Sequence, residues 1–183
     1  MNQYLSGLMT ETVNPNTIGI DECSTEEILR LINAEDACIP GAVASEIPNL
    51  TQAVDLAYGA LKGGGHMFYV GCGTSGRLGV LDASECPPTY GVDPELVQGY
   101  IAGGDEALRR AVEGSEDDAE AGARLVRDLG ITSQDVLVGI TASGAAPYVL
   151  GATTEAKRQG AVCIAVVNNH GSKLEGLCDV TVA

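Results

Sequence analysis

The sequence predicts an α/β protein built on a doubly wound parallel sheet of about five strands. Short apolar runs alternate along the chain with segments of helical periodicity, which is typical of a parallel sheet with crossover helices. The apolar runs are continuous rather than alternating, as expected for strands that are covered on both faces. Turns rich in Gly, Ser and Thr follow two of these runs directly, where strands are expected to lead into helices.

The N-terminal part is expected to be an irregular arm followed by helices. Residues 1–23 show no regular period. Ser24 and Glu27 then have the spacing of a capping box, which predicts a helix to about Ala37. Pro40-Gly41 is expected to break that helix, and a second helical stretch is predicted over about 42–61, with a candidate kink at Pro48.

The rest of the chain alternates between strands and helices. Strands are predicted at 66–70, 97–102, 135–140, 162–167 and 179–182, and helices at 77–84, 105–112, 116–129 and 147–158. Pro87-Pro88 is expected to stop the first of these helices, and Asp105 to cap the second. This predicts one domain over 24–183. Because the chain stops inside the fifth strand, it is expected to be the first part of something longer.

Composition excludes several classes of function. With 25 acidic and 10 basic residues the formal net charge is −15, and no Lys/Arg cluster exceeds two, so binding to nucleic acid or to an anionic membrane surface is disfavoured. No apolar run is long enough for a transmembrane helix, and no signal peptide is recognised. Six cysteines without a CxxC motif predict reduced thiols in a cytoplasmic protein. Two histidines without clustered ligands predict no metal site.

The two polar turns are the candidate ligand site. The turns 71–76 and 142–144 each follow a strand, and their glycines, Thr74, Ser75 and Ser143 offer backbone N–H and hydroxyl donors to a phosphate monoester. Gly71, Gly73 and Gly76 also match the GxGxxG pattern of dinucleotide sites, but the expected ribose-binding acid is absent at the end of the second strand. A purely structural glycine turn is a further alternative.

Two carboxylates are candidates for acid–base chemistry. Glu85 lies next to the double proline, and Glu116 follows the end of the second strand, so both are expected on the rim beside the polar turns. The alternative is that Glu85 is a solvated helical residue and that Glu116 only favours a helix dipole. Arg77 is expected to reach a substrate oxygen or to pair with a surface acid.

The residues that carry these features resemble a known family. The stretch 70–90, with Gly-Cys-Gly-Thr-Ser-Gly and Asp-Ala-Ser-Glu-Cys-Pro-Pro, is similar to the N-acetylmuramic acid 6-phosphate etherases, as are the segments 10–17, 101–104, 111–118 and 141–144. The resemblance implies a sugar isomerase (SIS) domain, a homodimer and no cofactor. It implies a lyase that opens the sugar, removes the C2 proton, expels D-lactate from C3 and adds water. That reaction belongs to the recycling of cell-wall amino sugars.

The same resemblance implies roles for individual residues. Glu85 is expected to be the acid for the departing lactate and Glu116 the base at C2. The substrate is expected to contact Gly73, Thr74, Ser75, Gly76, Ser84, Ser143 and Gly144.

The sequence departs from the family pattern in places. The family usually has Arg-Thr where this chain has Ala145-Ala146, and 163–170 also diverges. The family extends beyond residue 183. These departures keep two alternatives open: a non-catalytic sugar-phosphate regulator, like the glucokinase regulatory protein, and a sugar-phosphate isomerase.

Overall fold

The computed structural model describes residues 7–183, so the first six residues of the predicted arm lie outside the described part. Five parallel strands form one sheet in the order β2-β1-β3-β4-β5, which confirms the predicted fold class. The strands are β1 Met67–Gly71, β2 Val97–Ile101, β3 Val136–Ile140, β4 Val162–Val166 and β5 Val180–Val182.

Seven α-helices accompany these strands in the described residues. They are α1 Thr25–Asp36, α2 Ile39–Ser45, α3 Ile47–Lys62, α4 Gly73–Tyr90, α5 Gly104–Arg109, α6 Ala119–Asp128 and α7 Pro147–Arg158. The predicted capping box is confirmed: Ser24 Oγ accepts from the Glu27 amide at 3.4 Å, and the Glu27 carboxylate accepts from the Ser24 amide at 2.8 Å. The arm between residues 7 and 23 contains only short 3-10 turns.

The helices cover the sheet on both faces. On one face, Ala53, Leu56, Ala57 and Ala60 of α3 pack against Val136, Val138 and Ile164. Helix α4 lies on the same face, because a Cβ on Gly79 would lie 2.8 Å from Tyr69 Cβ and 3.5 Å from Ile140 Cδ1. The opposite face packs against α6 and α7 through Val126, Tyr148, Val149, Ala152 and Ala156. Burial on both faces explains why the strands are continuously apolar.

Two glycines let α6 and α7 pack closely. A Cβ on Gly151 would lie 1.9 Å from the carbonyl oxygen of Ala119, and a Cβ on Gly122 would lie 2.0 Å from that of Tyr148. Real Cβ atoms do not approach backbone oxygens this closely, so each glycine brings one helix backbone against the other.

The double proline does not stop α4, so that prediction was wrong. The helix continues through Pro87 and Pro88 to Tyr90 and ends at Gly91, whose φ of 67° is left-handed and whose N–H donates to the Pro87 carbonyl at 2.8 Å. Proline has a helical φ, and these prolines remove two hydrogen bonds only near the end of the helix. The start was also different from the prediction: α4 begins at Gly73, so most of the predicted glycine loop is its first turn.

Four other helix starts differ from the prediction for local reasons. Helix α2 begins at Ile39 with Pro40 in its first turn, and Pro48 lies in the first turn of α3, where the missing proline N–H costs nothing. Asp105 does not cap α5, because Gly103 occupies the N-cap position. Helix α6 begins only at Ala119, with Asp118 as its N-cap, and Glu116 lies in the preceding 3-10 turn.

A buried carboxylate joins the starts of β1 and β3. Asp135 accepts from the His66 amide at 2.8 Å and from the Thr132 amide and hydroxyl at 2.8 and 2.9 Å. His66 Nδ1 lies 3.1 Å from the same carboxylate. Burial raises the pKa of Asp135, but these hydrogen bonds outweigh burial and hold the pKa below its ordinary value.

Candidate functional site

The two polar turns lie side by side at the carboxyl edge of the sheet. Strands β1 and β3 are neighbours, with Gly71 opposite Ile140, so the chain leaves both strands at the same edge. The first turn is tight: a Cβ on Gly71 would lie 2.6 Å from the Gly76 amide nitrogen. Helix α4 begins at Gly73 within the first turn, and α7 begins at Pro147 after the second, so both helices direct their positive ends towards this edge.

The larger cavity between these turns, which we call the hydroxyl cavity, has a volume of about 340 Å³. Ser75 contributes from the first turn of α4, and Thr141 and Ser143 from the turn after β3. Glu116 and Asp117 form another wall. Among the described residues that line this cavity none is a Lys, Arg or His, so an anion bound here must be held by hydroxyls and helix N-termini.

A second cavity of about 200 Å³, the arginine cavity, adjoins the first. Cys72 and Glu116 line both cavities, so Glu116 lies where they meet. The remaining wall includes Arg77, Arg110 and the glycine at position 73.

The N-terminal arm forms part of the hydroxyl cavity, which the sequence did not predict. Leu8 is buried, and Asn169 binds Thr10 through two hydrogen bonds, from the Thr10 amide at 3.3 Å and to the Thr10 hydroxyl at 3.0 Å. The next residue, Glu11, reaches the cavity wall. Glu11 lines this cavity because Thr10 binds Asn169, a residue 159 positions further along the chain. A contact at that separation leaves no local pattern in the sequence.

The structure brings some of the predicted substrate-binding residues together and separates others. Gly73, Ser75 and Ser143 line the two cavities. Thr74 is exposed on the first turn of α4, and Gly76 is buried against Ile101. Gly144 is also buried, and a Cβ there would collide with Ser172, so it serves the packing of the turn. Ser84 is exposed within α4 and donates to the Leu81 carbonyl at 2.8 Å.

The two candidate carboxylates lie apart within one chain. Glu85 follows Gly73 by twelve residues on α4, which places it about 18 Å along the helix axis. Because α4 runs back towards the amino edge of the sheet, Glu85 is exposed near that edge and lies outside both cavities that Glu116 lines.

Two other side chains near the site have clear roles in the fold. Burial, reinforced by Glu116 and Asp117, raises the pKa of Cys72 to about 12, so the thiol stays protonated and is a poor nucleophile. Within residues 7–183 Arg77 forms no ion pair with an acid, and its Nη2 and Nε donate to the carbonyls of Ala107 and Leu108 at 2.7 and 3.1 Å. Residues 7–183 contain no cluster of three His, Cys, Asp or Glu side chains suited to a metal.

Comparison with protein families identifies the domain. Residues 49–157 match the family model described as the glucokinase regulatory protein N-terminal SIS domain. The chain belongs to this SIS family. The matched segment of the SIS domain runs from the start of α3 to the end of α7 and includes both polar turns.

The chain is also similar to curated bacterial proteins named N-acetylmuramic acid 6-phosphate etherase. It is 50% identical to the protein of Clostridium acetobutylicum, over 100% of this chain and 60% of the relative. It is 49% identical to that of Caldanaerobacter subterraneus subsp. tengcongensis, over 97% of this chain and 58% of the relative. The chain thus spans about 60% of the length of these relatives.

Solved structures share the fold of the SIS domain. A phosphoheptose isomerase from Neisseria gonorrhoeae has a TM-score of 0.67 and 24% identity, covering 87% of this chain and 86% of its own. One from Francisella tularensis has a TM-score of 0.68 and 23% identity, covering 87% and 85%. At this level of identity the likeness supports the fold alone. No helix within residues 7–183 combines the length and apolar character needed to cross a membrane.

Proposed function

We propose that this protein is an N-acetylmuramic acid 6-phosphate etherase that works in the cytoplasm in the recycling of cell-wall amino sugars. The reaction cleaves the D-lactyl ether of N-acetylmuramate 6-phosphate and yields N-acetylglucosamine 6-phosphate and D-lactate. The observation that carries the proposal is Glu116 beside a cavity of hydroxyls and helix N-termini, in a chain about 50% identical to proteins named for this activity. Free thiols at all six cysteines fit a reducing compartment.

The hydroxyl cavity is the proposed phosphate seat. Ser75 and Ser143 donate hydroxyl hydrogen bonds, and the first turns of α4 and α7 add the positive ends of two helices. Gly76 and Gly144 allow the two turns to pack closely, and the exposed Thr74 is proposed to add a further hydroxyl to this seat. The described residues that line this cavity include no cation, and the chain's net charge of −15 repels anions at long range. The affinity of the cavity for phosphate therefore depends on these hydroxyls and helix dipoles.

Glu116 is the proposed base. Its position at the junction of the two cavities supports this role, because a sugar whose phosphate occupied the hydroxyl cavity would extend past the Glu116 carboxylate. Removal of the C2 proton from the opened sugar gives an enolate, and loss of lactate from C3 follows. Water then adds at C3, so the new hydroxyl oxygen comes from solvent.

Glu85 is proposed to act as the acid from a second copy of the chain. It shares one side of α4 with the exposed Leu78 and Leu81, at helical spacings of seven and four residues. Helices α1 and α2 bury none of their residues and expose Leu29, Ile32, Ile39 and Val43. These apolar surfaces favour a homodimer that covers them and carries Glu85, with Ser84 beside it, to the other copy's site.

The test is incubation of the protein with N-acetylmuramate 6-phosphate in ¹⁸O-labelled water. The proposal expects D-lactate without label and N-acetylglucosamine 6-phosphate with one labelled oxygen at C3. Glu116→Gln and Glu85→Gln are each expected to lower kcat by at least about 100-fold, since a positioned acid or base contributes about that much. Glu106→Gln, an exposed acid on α5 outside both cavities, is the matched control.

Dimerisation gives a separate test. If Glu85 acts across the interface, mixing the inactive Glu85→Gln and Glu116→Gln proteins restores activity, because one site of a mixed dimer keeps both carboxylates. Absence of lactate from folded wild-type protein would reject the etherase. If that sample still bound the sugar phosphate, the result would indicate a non-catalytic regulator. If it formed a ketose product without lactate, the result would indicate an isomerase.

A further inference from the structure

The arginine cavity contains cations that the proposed phosphate seat lacks. Arg77 and Arg110 both line it, although the chain has only 10 basic residues. The two hydrogen bonds from Arg77 to the end of α5 fix its guanidinium and leave Nη1 without a partner in residues 7–183. This arginine is therefore held in place before any ligand binds.

Arg110 is the second arginine that lines this cavity. It follows α5, is exposed, and forms no ion pair with any carboxylate in the described part of the chain, even though Glu113 and Glu116 line the same cavity. An arginine that stays unpaired in a chain with 25 acidic residues is available to an anion from outside. Its planar guanidinium suits the two oxygens of a carboxylate.

The neighbouring surface fits a small, partly apolar ligand. Ala102, Ala107 and Val112 contribute methyl groups to the same wall, and the volume of about 200 Å³ suits a group of a few heavy atoms. Glu116, at the junction with the hydroxyl cavity, separates this cavity from the phosphate seat.

We infer that the arginine cavity is a carboxylate subsite in which Arg110, oriented beside the fixed Arg77, binds the carboxylate of the substrate's lactyl group. This inference rests on the proposed function, which supplies a substrate with two anionic groups. The phosphate then occupies the hydroxyl cavity, the lactyl group occupies the arginine cavity with its methyl on the alanines, and the sugar carbons between them lie against Glu116. Arg110 thereby distinguishes the lactyl ether from the product sugar phosphate, which has no carboxylate.

The test compares two ligands and two neighbouring arginines. Binding of N-acetylmuramate 6-phosphate and of N-acetylglucosamine 6-phosphate is measured by calorimetry in a Glu116→Gln background, so that turnover does not consume the first ligand. Arg110→Gln is expected to weaken binding of the muramate at least about tenfold, since a charge-assisted hydrogen bond is lost, and to change binding of the glucosamine less than about twofold. Arg109→Gln removes the same charge from an exposed position outside both cavities and is expected to change neither.

Each result decides between named alternatives. Arg110→Lys is expected to restore part of the muramate affinity, and matching thermal unfolding of the variants confirms that they are folded. If Arg110→Gln weakened the binding of both ligands equally, Arg110 would be a phosphate ligand and the inference would be overturned. Unchanged binding of both ligands would also overturn it. If Arg110→Gln weakened only muramate binding while the protein with native Glu116 released no lactate, that combination would support the carboxylate subsite and reject the etherase activity. Failure to bind either ligand would reject both.

Discussion

Asn169 fastens the N-terminal arm to the carboxyl edge of the sheet by holding Thr10 with both ends of its side-chain amide. Its Oδ1 accepts from the Thr10 backbone at 3.3 Å, and its Nδ2 donates to the Thr10 hydroxyl at 3.0 Å and to the Ala142 carbonyl at 2.9 Å. Ala142 directly precedes Ser143, so the same side chain joins the arm to a turn that lines the hydroxyl cavity.

Asn169→Ala is expected to release the arm. The Thr10 amide loses its acceptor, and the Ala142 carbonyl keeps only the Asn168 amide as a donor, so stability falls by about 1–3 kcal/mol. Hydrogen exchange of a peptide over residues 8–12 is expected to accelerate at least about tenfold, because local opening then precedes global unfolding. Asn168→Ala, at an exposed neighbouring position, is the control. Equal exchange in both variants would show that other contacts hold the arm.

Ala146→Thr is expected to stabilise the protein by about 1 kcal/mol. Ala146 is the N-cap of α7, with a φ of −59° and a ψ of 117°, and provides no side-chain acceptor for the first-turn amides. Thr supplies that oxygen. Ala146→Val has nearly the same shape without the hydroxyl, so urea denaturation of the two variants isolates the capping bond. No difference between them would mean that the Thr hydroxyl bonds elsewhere.

Gly151→Ala and Gly59→Ala are expected to have opposite effects. At Gly151 the added methyl collides with the Ala119 carbonyl and forces α6 and α7 apart, which costs at least about 2 kcal/mol. At Gly59, within α3, a Cβ meets nothing within 4 Å, so Ala raises helix propensity and stabilises by about 0.5–1 kcal/mol. Thermal unfolding distinguishes the two. A neutral Gly151→Ala would contradict the close approach of the two helices.

Asp135→Asn is expected to lower stability by about 2–3 kcal/mol at neutral pH, because an amide does not accept all the hydrogen bonds from His66 and Thr132. The pKa of Asp135 is lower in the folded protein, so its contribution is present above the unfolded pKa of about 3.8 and disappears as the pH falls through the folded pKa. Denaturant unfolding from pH 7 to pH 2 should therefore show the difference from wild type shrinking below about pH 4. The exposed Asp128→Asn serves as the reference. A difference that stays constant with pH would contradict this role.

The fold was largely predictable because its signals are local. Apolar runs, the capping box at Ser24 and the glycine turns each depend on a few adjacent residues, and the strands lie within about a residue of their predicted bounds. The double proline misled the prediction because a proline near a helix end costs little, and the residues around it do not reveal how near that end is.

The site was only partly predictable because it depends on distance in space. Ser75, Ser143 and Glu116 follow strand ends, so topology alone brings them together. Glu11 reaches the cavity through the contact of Thr10 with Asn169. Arg110 becomes a candidate ligand-binding residue only because no acid pairs with it in residues 7–183. The separation of Glu85 from Glu116 depends on where α4 begins, because the helix starts at Gly73 rather than at the predicted Arg77 and so carries Glu85 twelve residues from the site.

The unbroken length of α4 couples its two ends mechanically. Its first turn, with Gly73 and Ser75, borders both cavities, and Glu85 lies about 18 Å further along the same rigid rod. A tilt of about 5° at the first turn displaces Glu85 by about 1.6 Å, which is enough to alter proton transfer. A ligand that tilts the first turn of α4 therefore also displaces the Glu85 carboxylate, and in the homodimer proposed above this would couple the two sites.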